Sequence, residues 1–360
     1  MDGKMLTISL KHEELYNLLR KELIKLSPGE KFFSIRDIMK RYEVSQLTVD
    51  KTLSKLRNEG FLKNSAGKGL FASEQVSRLS RKNLPTYLLA VPQWKSIDID
   101  VLEQTVRDVA ASYPKQRLLV HKFDPACVLP QNLPLQEENV TGVVMLTSSS
   151  NLKFEDLQHI NNYHCPLIML GHHLEDLNIA GVNADDVFAG NLAADYLERR
   201  GHRHIAVLLS EPHNNIIMTR VKAICDYAEL RGVKTELIDC EVKSGEVANE
   251  KAYRKFTDVL NTKYSFTAVV GISGDSMQGA VNACHNKNVR IPDDLSMIAI
   301  GAELLTGTFY PPMTTVALNF GSQIKTALLL LDQMVNNPGQ EVKSVYHRPV
   351  IIERKSVKTI

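Results

Sequence analysis

The sequence predicts an α/β protein built from two dissimilar parts: a small helical unit ending in a hairpin, then a two-lobed body of doubly wound parallel sheets. Three observations predict it. Before Ser73, three helical patterns precede two short strand patterns; beyond Pro85, apolar strand runs alternate with amphipathic helices. Charge divides along the same line, with 17 Lys and Arg against 10 Asp and Glu in residues 1–83, or +7, and 26 against 31 in the remainder, or −5. A basic end on an acidic body points to different partners for the two parts, and the basic end suits a polyanion.

The first helix is read from Leu15, Leu18, Leu19, Leu23, Ile24 and Leu26, which recur at helical spacing before Pro28 and Gly29 stop it. The second runs near Ser34 to Tyr42, with Ser34 as N-cap and Asp37 three residues on as a capping box. The third starts at Ser45, with Val49, Leu53 and Leu56 as its buried stripe. FLKNSAGKGLFAS then reads as two strands around a turn at Ala66 to Gly69, completing a winged helix. The expected domains are 1–72 for this unit, a polar linker at 73–85, and a body at 86–360.

In the body, strands are predicted at 87–91, 117–123, 142–147, 166–170, 204–209, 235–240, 267–273 and 295–301. Helices are predicted near 99–112, 153–162, 185–200, 216–231, 249–260 and 274–287, with Asn183 or Asp185 capping the third and Gly201 ending it. Strands apolar on both faces between helices imply parallel sheets, and eight of them favour two lobes.

Composition excludes several classes. A hydrophobic fraction of 44% and a charged fraction of 23% suit a globular chain of two or three compact units. Five scattered cysteines without a C-x-x-C pair argue for a reducing cytoplasm, and neither a signal-peptide run nor a membrane-length apolar run occurs. Metal binding is not expected at His172-His173, whose side chains would point to opposite faces of a strand, nor at His202 and His204. GISGD at 271–275 misses the nucleophile-elbow spacing by one residue, and no Walker or complete G-x-G-x-x-G sequence is present. No cofactor and no enzyme activity are expected.

The third helix has what a major-groove reader needs, one side to dock on its own domain and another to reach bases and phosphates. Leu47, Asp50, Lys51 and Ser54 project away from the apolar stripe, and Ser45, Gln46 and Thr48 occupy the first turn. Thr48, Lys51 and Lys55 suit phosphates, Gln46 an adenine, the methyls of Leu47 a thymine, and Asp50 a cytosine amine.

Pro28, Gly29, Ser34, Arg36, Ile38, Val44, Ser45, Thr48, Val49, Leu53, Leu56, Glu59, Gly60, Gly67, Gly69 and Phe71 follow the order of a known pattern. Over residues 10 to 72 the segment resembles the GntR family of bacterial transcription regulators. The resemblance implies DNA contacts from Arg36, Ser45, Gln46, Thr48 and the wing of Gly67, Lys68 and Gly69. Gln46 and Asp50 stand where that family carries two arginines, which removes two cationic contacts.

The run VNADDVFAGNLAADYLERRGHRHIAVLL, then Arg220, TAVVGISGDSMQGAV, IPDDLSMIAIG, PPMTTV and RPVIIERKS keep the order of a second pattern. This stretch, about 86 to 357, resembles the sensor module of the LacI/GalR family, and the combination resembles the arabinose-repressor subgroup of the GntR regulators. The resemblance implies two lobes like those of periplasmic sugar-binding proteins, one holding roughly 86–184 and 319–337, the other 185–318 and the carboxyl-terminal tail. Gln93, Trp94, Ser148, His172, Arg220, Asp275 and Asn319 then fit an effector site at strand ends, with Arg220 and Asp275 matching family positions most directly. The family's G-F-D-D corresponds to Ala299, Ile300, Gly301 and Ala302, so the resemblance implies that its sugar-binding carboxylate is absent.

The expected function is a cytoplasmic transcriptional regulator, a repressor that binds palindromic operator DNA as a homodimer and is released by a sugar or sugar derivative. A sugar-binding transport receptor and a sugar-modifying enzyme are the alternatives.

Overall fold

The structure is a computed structural model. It describes residues 2–65, 69–76, 85–93, 97–112, 116–130, 132–147, 152, 156, 158, 160, 163–171 and 179–360. The chain divides into two compact units, 1–85 grouped with 115–117, and the rest of 86–360.

The small unit opens with α1 (Asp2–Ile24), which begins well before the expected Leu15. Leu15, Leu19 and Leu23 are buried on one side of it while Leu18 faces solvent. Next comes α2 (Ile35–Tyr42), whose capping box closes as read: the Asp37 N–H donates to Ser34 Oγ (3.2 Å) and the Ser34 N–H to Asp37 Oδ2 (3.1 Å). α3 (Gln46–Asn58) follows, and β1 (Leu62–Ser65) pairs antiparallel with β2 (Gly69–Ala72) from Leu62 opposite Ala72 to Ser65 opposite Gly69. Lys31 bridges Phe71, so the approach to α2 is stitched to the hairpin. Phe32, Ile38, Val49, Leu53, Leu56, Leu62 and Val76 complete one core with the α1 leucines. Each buried side chain of this size contributes about 1.5–3 kcal/mol. Val76 is fully buried there, so this core continues past residue 72, where the linker was expected to begin.

The large unit holds two six-stranded sheets. In chain order its elements are β3 (Thr86–Pro92), α4 (Ile97–Ser112), β4 (Arg117–Phe123), β5 (Val140–Leu146), β6 (Leu167–Leu170), β7 (Gly181–Ala184), α5 (Asp186–Glu198) and β8 (His204–Leu209). There follow α6 (Asn215–Leu230), β9 (Lys234–Asp239), α7 (Ala248–Leu260), β10 (Ala268–Gly271), α8 (Met277–Asn286), β11 (Ser296–Ile300) and α9 (Glu303–Thr306). The last elements are β12 (Thr314–Ala317), α10 (Phe320–Asn336), β13 (Val345–His347) and β14 (Val350–Ile352).

One sheet has the order β13-β7-β6-β5-β3-β4, the other β14-β12-β11-β10-β8-β9. β3, β10 and β11 are buried at every residue because helices cover both faces, and each sheet accordingly separates two hydrophobic clusters. Among the described pairs of these two sheets only β14 is antiparallel to its neighbour, β12. The α10 helix, Phe320–Asn336, packs through Ile324, Ala327, Leu328 and Leu331 onto the first sheet. The chain therefore passes between lobes three times, at Asp185, at Leu318-Asn319, and between His347 and Val350. The predicted helix at 153–162 falls largely outside the described residues. Among the described residues no helix is long and apolar enough to cross a membrane.

Candidate functional site

Two surfaces gather the residues singled out in the sequence. On the small unit, Ser45 caps α3: its Oγ accepts from the Thr48 N–H (3.3 Å) and lies 2.9 Å from Thr48 Oγ1. Thr48 is only 6% exposed, and its carbonyl accepts from Thr52 Oγ1 (2.8 Å). The Thr48 hydroxyl thus joins the cap that fixes the entry of the helix. Gln46, Leu47, Lys51 and Ser54 are exposed, with Leu47 at 59%, and Asp50 is half-buried at the edge of that face. Arg36 is exposed on α2.

Lys55 is turned toward α1. Its Nζ donates to Glu13 Oε1 (3.0 Å) and stands 4.2 Å from the centre of the Tyr16 ring. Such an exposed ion pair is worth no more than about 1 kcal/mol, so a phosphate can compete for the ammonium. Beside it Tyr16 donates to Glu59, and burial together with that carboxylate pushes the phenol up to about 12. An open groove between α1 and α3 is lined by His12, Asp50, Lys51, Ser54, Lys55 and Glu59. Gly69 opens β2 with a φ of 106°, a conformation that favours glycine. Gly67 and Lys68 lie outside the described residues.

On the body, the second sheet reverses its winding between β8 and β10: β9 lies on one side of β8 and β10 on the other. Ligands of open α/β sheets sit beyond the carboxyl ends of strands at such a point. There the chain places Ser210 and Glu211 just after β8, and Ser273, Asp275 and Ser276 after β10. Ser210 and Ser276 share a hydrogen bond between hydroxyls, and Ser276 Oγ also donates to the Ser273 carbonyl (3.0 Å).

Arg220, on the second turn of α6, enters this region with its Nε donating to Asp186 Oδ1 at 2.7 Å; both side chains are largely buried. Asp186 follows the N-cap Asp185, whose carboxylate accepts from the Phe188 N–H (2.9 Å). Asp275 is half-buried, and the N-cap of α8 is Ser276 rather than Asp275. Enclosure by protein pushes the Glu211 carboxyl above the ordinary carboxylate range; Ser273 and Arg220 oppose that rise, and the Asp275 carboxylate adds to it.

The remaining expected effector residues are dispersed. Gln93 is exposed directly after β3, its N–H donating to the Phe123 carbonyl (2.7 Å). Asn319 is exposed at a left-handed φ of 56° and caps α10 by accepting from the Ser322 N–H (3.3 Å). Trp94, Ser148 and His172 lie outside the described residues.

Sequence reasoning did not single out Asp186, which lay inside the helix predicted at 185–200, or Glu211, which lay between the predicted strand 204–209 and the helix near 216–231; adjacency to a strand end is the signal that marks both. A third carboxylate, Glu303, lies close in sequence to the 299–302 stretch. That residue begins α9 just beyond β11, after Gly301 and Ala302 at positive φ, and its Oε2 is buried without a hydrogen-bond partner among the described residues. No group of three or more His, Cys, Asp or Glu suited to a metal ion occurs among the described residues.

Comparison with known proteins bears on the body. Residues 194–357 match the family profile of the periplasmic binding protein-like domain. The HTH-type transcriptional repressor PurR of Escherichia coli O1:K1 is 29% identical over 197 residues, covering 54% of this chain and 57% of the relative. PurR of Klebsiella pneumoniae is 26% identical over 229 residues, covering 62% and 65%. The chain thus spans less than two thirds of the length of these curated relatives. Among solved structures, a LacI family transcriptional regulator from Enterococcus faecium with bound ribose superposes with a TM-score of 0.64 at 16% identity, covering 76% of this chain and 99% of that one. The two sheets, their strand order and this superposition give the large unit the periplasmic-binding-protein-like fold seen in LacI-family regulators.

Proposed function

We propose that the protein is a ligand-responsive transcriptional repressor, gripping operator DNA through its small unit and letting go when a sugar or sugar derivative occupies the body. The observation that supports this best is the joining, in one chain, of an exposed and capped α3 face to a domain with the LacI/PurR-type fold. The PurR relatives bear the name of transcriptional repressors, and the Enterococcus faecium regulator was solved with ribose.

In this reading the small unit is a winged helix of the GntR type, a family assignment supported by the quoted residues and by three helices followed by an antiparallel hairpin. Gln46, Leu47 and Asp50 read base edges; Arg36, Ser45, Thr48, Lys51, Lys55 and the wing at Gly67 to Gly69 hold the backbone. A homodimer presents two such faces to a palindromic site in the cytoplasm. Arg220, Asp275, Asp186 and Glu211 form one wall of the effector cleft, with Glu303 as the carboxylate that replaces the one missing from 299–302. Gln93, Trp94, Ser148, His172 and Asn319 supply the rest. Effector acts by preferring one arrangement of the lobes, which is what couples the cleft to DNA.

The test is retention of genomic fragments by the full-length protein, followed by release with a panel of sugars. Retention that falls by one or more decades over a few-fold rise in salt, and release by one sugar class, is the expected result. Failure to retain any fragment at low salt, or chemical conversion of the releasing sugar, overturns the reading.

A further inference from the structure

The helix proposed to read DNA has a carboxylate of the same domain seated on one of its lysines. Leu47, Lys51 and Lys55 follow one another at four-residue steps along α3, so they share the face proposed to meet the duplex. The Lys55 ammonium nevertheless points back to α1, where it donates to Glu13 Oε1 at 3.0 Å and stands 4.2 Å from the centre of the Tyr16 ring. Glu13 comes from 42 positions earlier, so the pair is made by the packing of α1 on α3 and not by one helix turn. Tyr16 is buried, and its hydroxyl donates to Glu59, the C-cap of α3, which fixes the ring as a platform beside the ammonium. Glu13 itself keeps 58% of its side chain in solvent, so the pair can open without stranding a buried charge. The hydrogen bond from Lys55, and then its charge, hold the Glu13 carboxyl below the ordinary carboxylate range, so it is ionised at neutral pH. Asp50 and Glu59 line the groove beside Lys51 and Lys55, so with Glu13 three carboxylates stand around two lysines of this face.

We infer that Glu13 is a built-in competitor of the DNA backbone, which keeps Lys55 occupied in the free protein and lowers the affinity of the small unit for every duplex, whatever its sequence. The inference rests on the DNA-binding role proposed above. When a phosphate takes the ammonium, one ion pair forms and another breaks, and the freed Glu13 carboxylate draws a salt cation to itself. Lys55 therefore adds little net affinity and little net release of counterions. A weaker sequence-independent grip leaves the base-edge contacts of Gln46, Leu47 and Asp50 a larger share of binding. It also brings DNA affinity within the range that a ligand on the body can overcome, since coupling between sites is typically only about 5–150-fold. Glu13 is thus a positioning residue that sets affinity through Lys55.

The test titrates a fluorescent random-sequence duplex with the full-length protein at several salt concentrations. Glu13→Gln, isosteric at an exposed position, is expected to bind about threefold or more tightly than the wild type and to steepen the salt slope by about one. Glu13→Gln/Lys55→Gln is expected to lose both changes, because the lysine through which Glu13 acts is gone. Glu14→Gln, which removes the adjacent exposed carboxylate, controls for general charge and should give less than about half of the gain. Unchanged affinity and slope in Glu13→Gln overturn the inference, as does a gain that survives Lys55→Gln or is matched by Glu14→Gln. Wild-type binding that Glu13→Gln leaves unaltered strikes this inference alone. If neither the wild type nor any variant holds the duplex at low salt, the DNA-binding reading fails and takes the inference with it.

Discussion

Arg220 and Asp186 meet across 2.7 Å although 34 positions separate them, because α5 and α6 touch backbone to backbone at Gly190. A Cβ at Gly190 would lie 2.6 Å from the Arg220 carbonyl and 2.8 Å from the Ala223 Cβ. The missing side chain brings the guanidinium within reach of its carboxylate.

Gly190→Ala is therefore expected to destabilise the body by about 1–3 kcal/mol, the usual cost of overpacking. Urea unfolding of the purified variant checks this. It should also weaken effector binding, since α6 must shift; an unchanged midpoint and unchanged affinity would refute the coupling.

Removing one member of the pair should cost more than removing both. Asp186→Ala strands a buried guanidinium and is expected to lose about 3–5 kcal/mol, whereas Asp186→Leu/Arg220→Met should recover much of it. A double-mutant cycle on unfolding free energies decides; purely additive losses would show that the two charges are not coupled.

Glu211 sets a pH dependence with a definite sign. Its folded carboxyl binds a proton more tightly than an unfolded one, so its contribution favours folding as pH falls from the folded value toward the ordinary 4.5, and turns against folding as pH rises through that window. Glu211→Gln is expected to raise stability at neutral pH and to flatten the difference between neutral and mildly acid melting temperatures. If the variant melts lower at neutral pH, the carboxylate is needed in its charged form.

On the small unit, Ser34→Ala removes the hydroxyl half of the α2 capping box, leaves the backbone N–H of residue 34 on Asp37, and should cost about 1 kcal/mol, with DNA affinity falling in parallel because α2 buttresses α3. Circular dichroism melting and fragment retention measure the two effects.

For DNA, Lys51→Ala is expected to weaken all sites alike and to lower the salt slope by about one, while Asp50→Ala should alter preference at one base position. Binding-site selection with each variant separates them. Equal loss at every sequence from Asp50→Ala would make that residue a bystander.

Legibility in the sequence followed physical size and repetition. Strands such as 204–209 and 267–273 announced themselves because burial on both faces demands unbroken apolar runs. β12, β13 and β14 escaped because three or four residues, some of them polar like Thr314, are too few to show a period. α10 was not read as a helix, although its span was placed in the correct lobe by resemblance. At the proposed site, motif order singled out Arg220 and Asp275; Asp186 and Glu211 were not singled out, since what marks them is which strand ends the sheet sets side by side. The inward turn of Thr48 toward the α3 cap was likewise not visible in its residue type.

The last strands of the chain have a practical consequence. β13 closes one sheet and β14 the other, with only Arg348 and Pro349 between them. A nascent chain halted before residue 345 would leave both lobes with a raw border at once, so neither half of the body can be excised as a contiguous fragment and expected to mature unaided. Synthesis must pass His347 to finish the first sheet and Ile352 to finish the second, which couples the maturation of the two lobes.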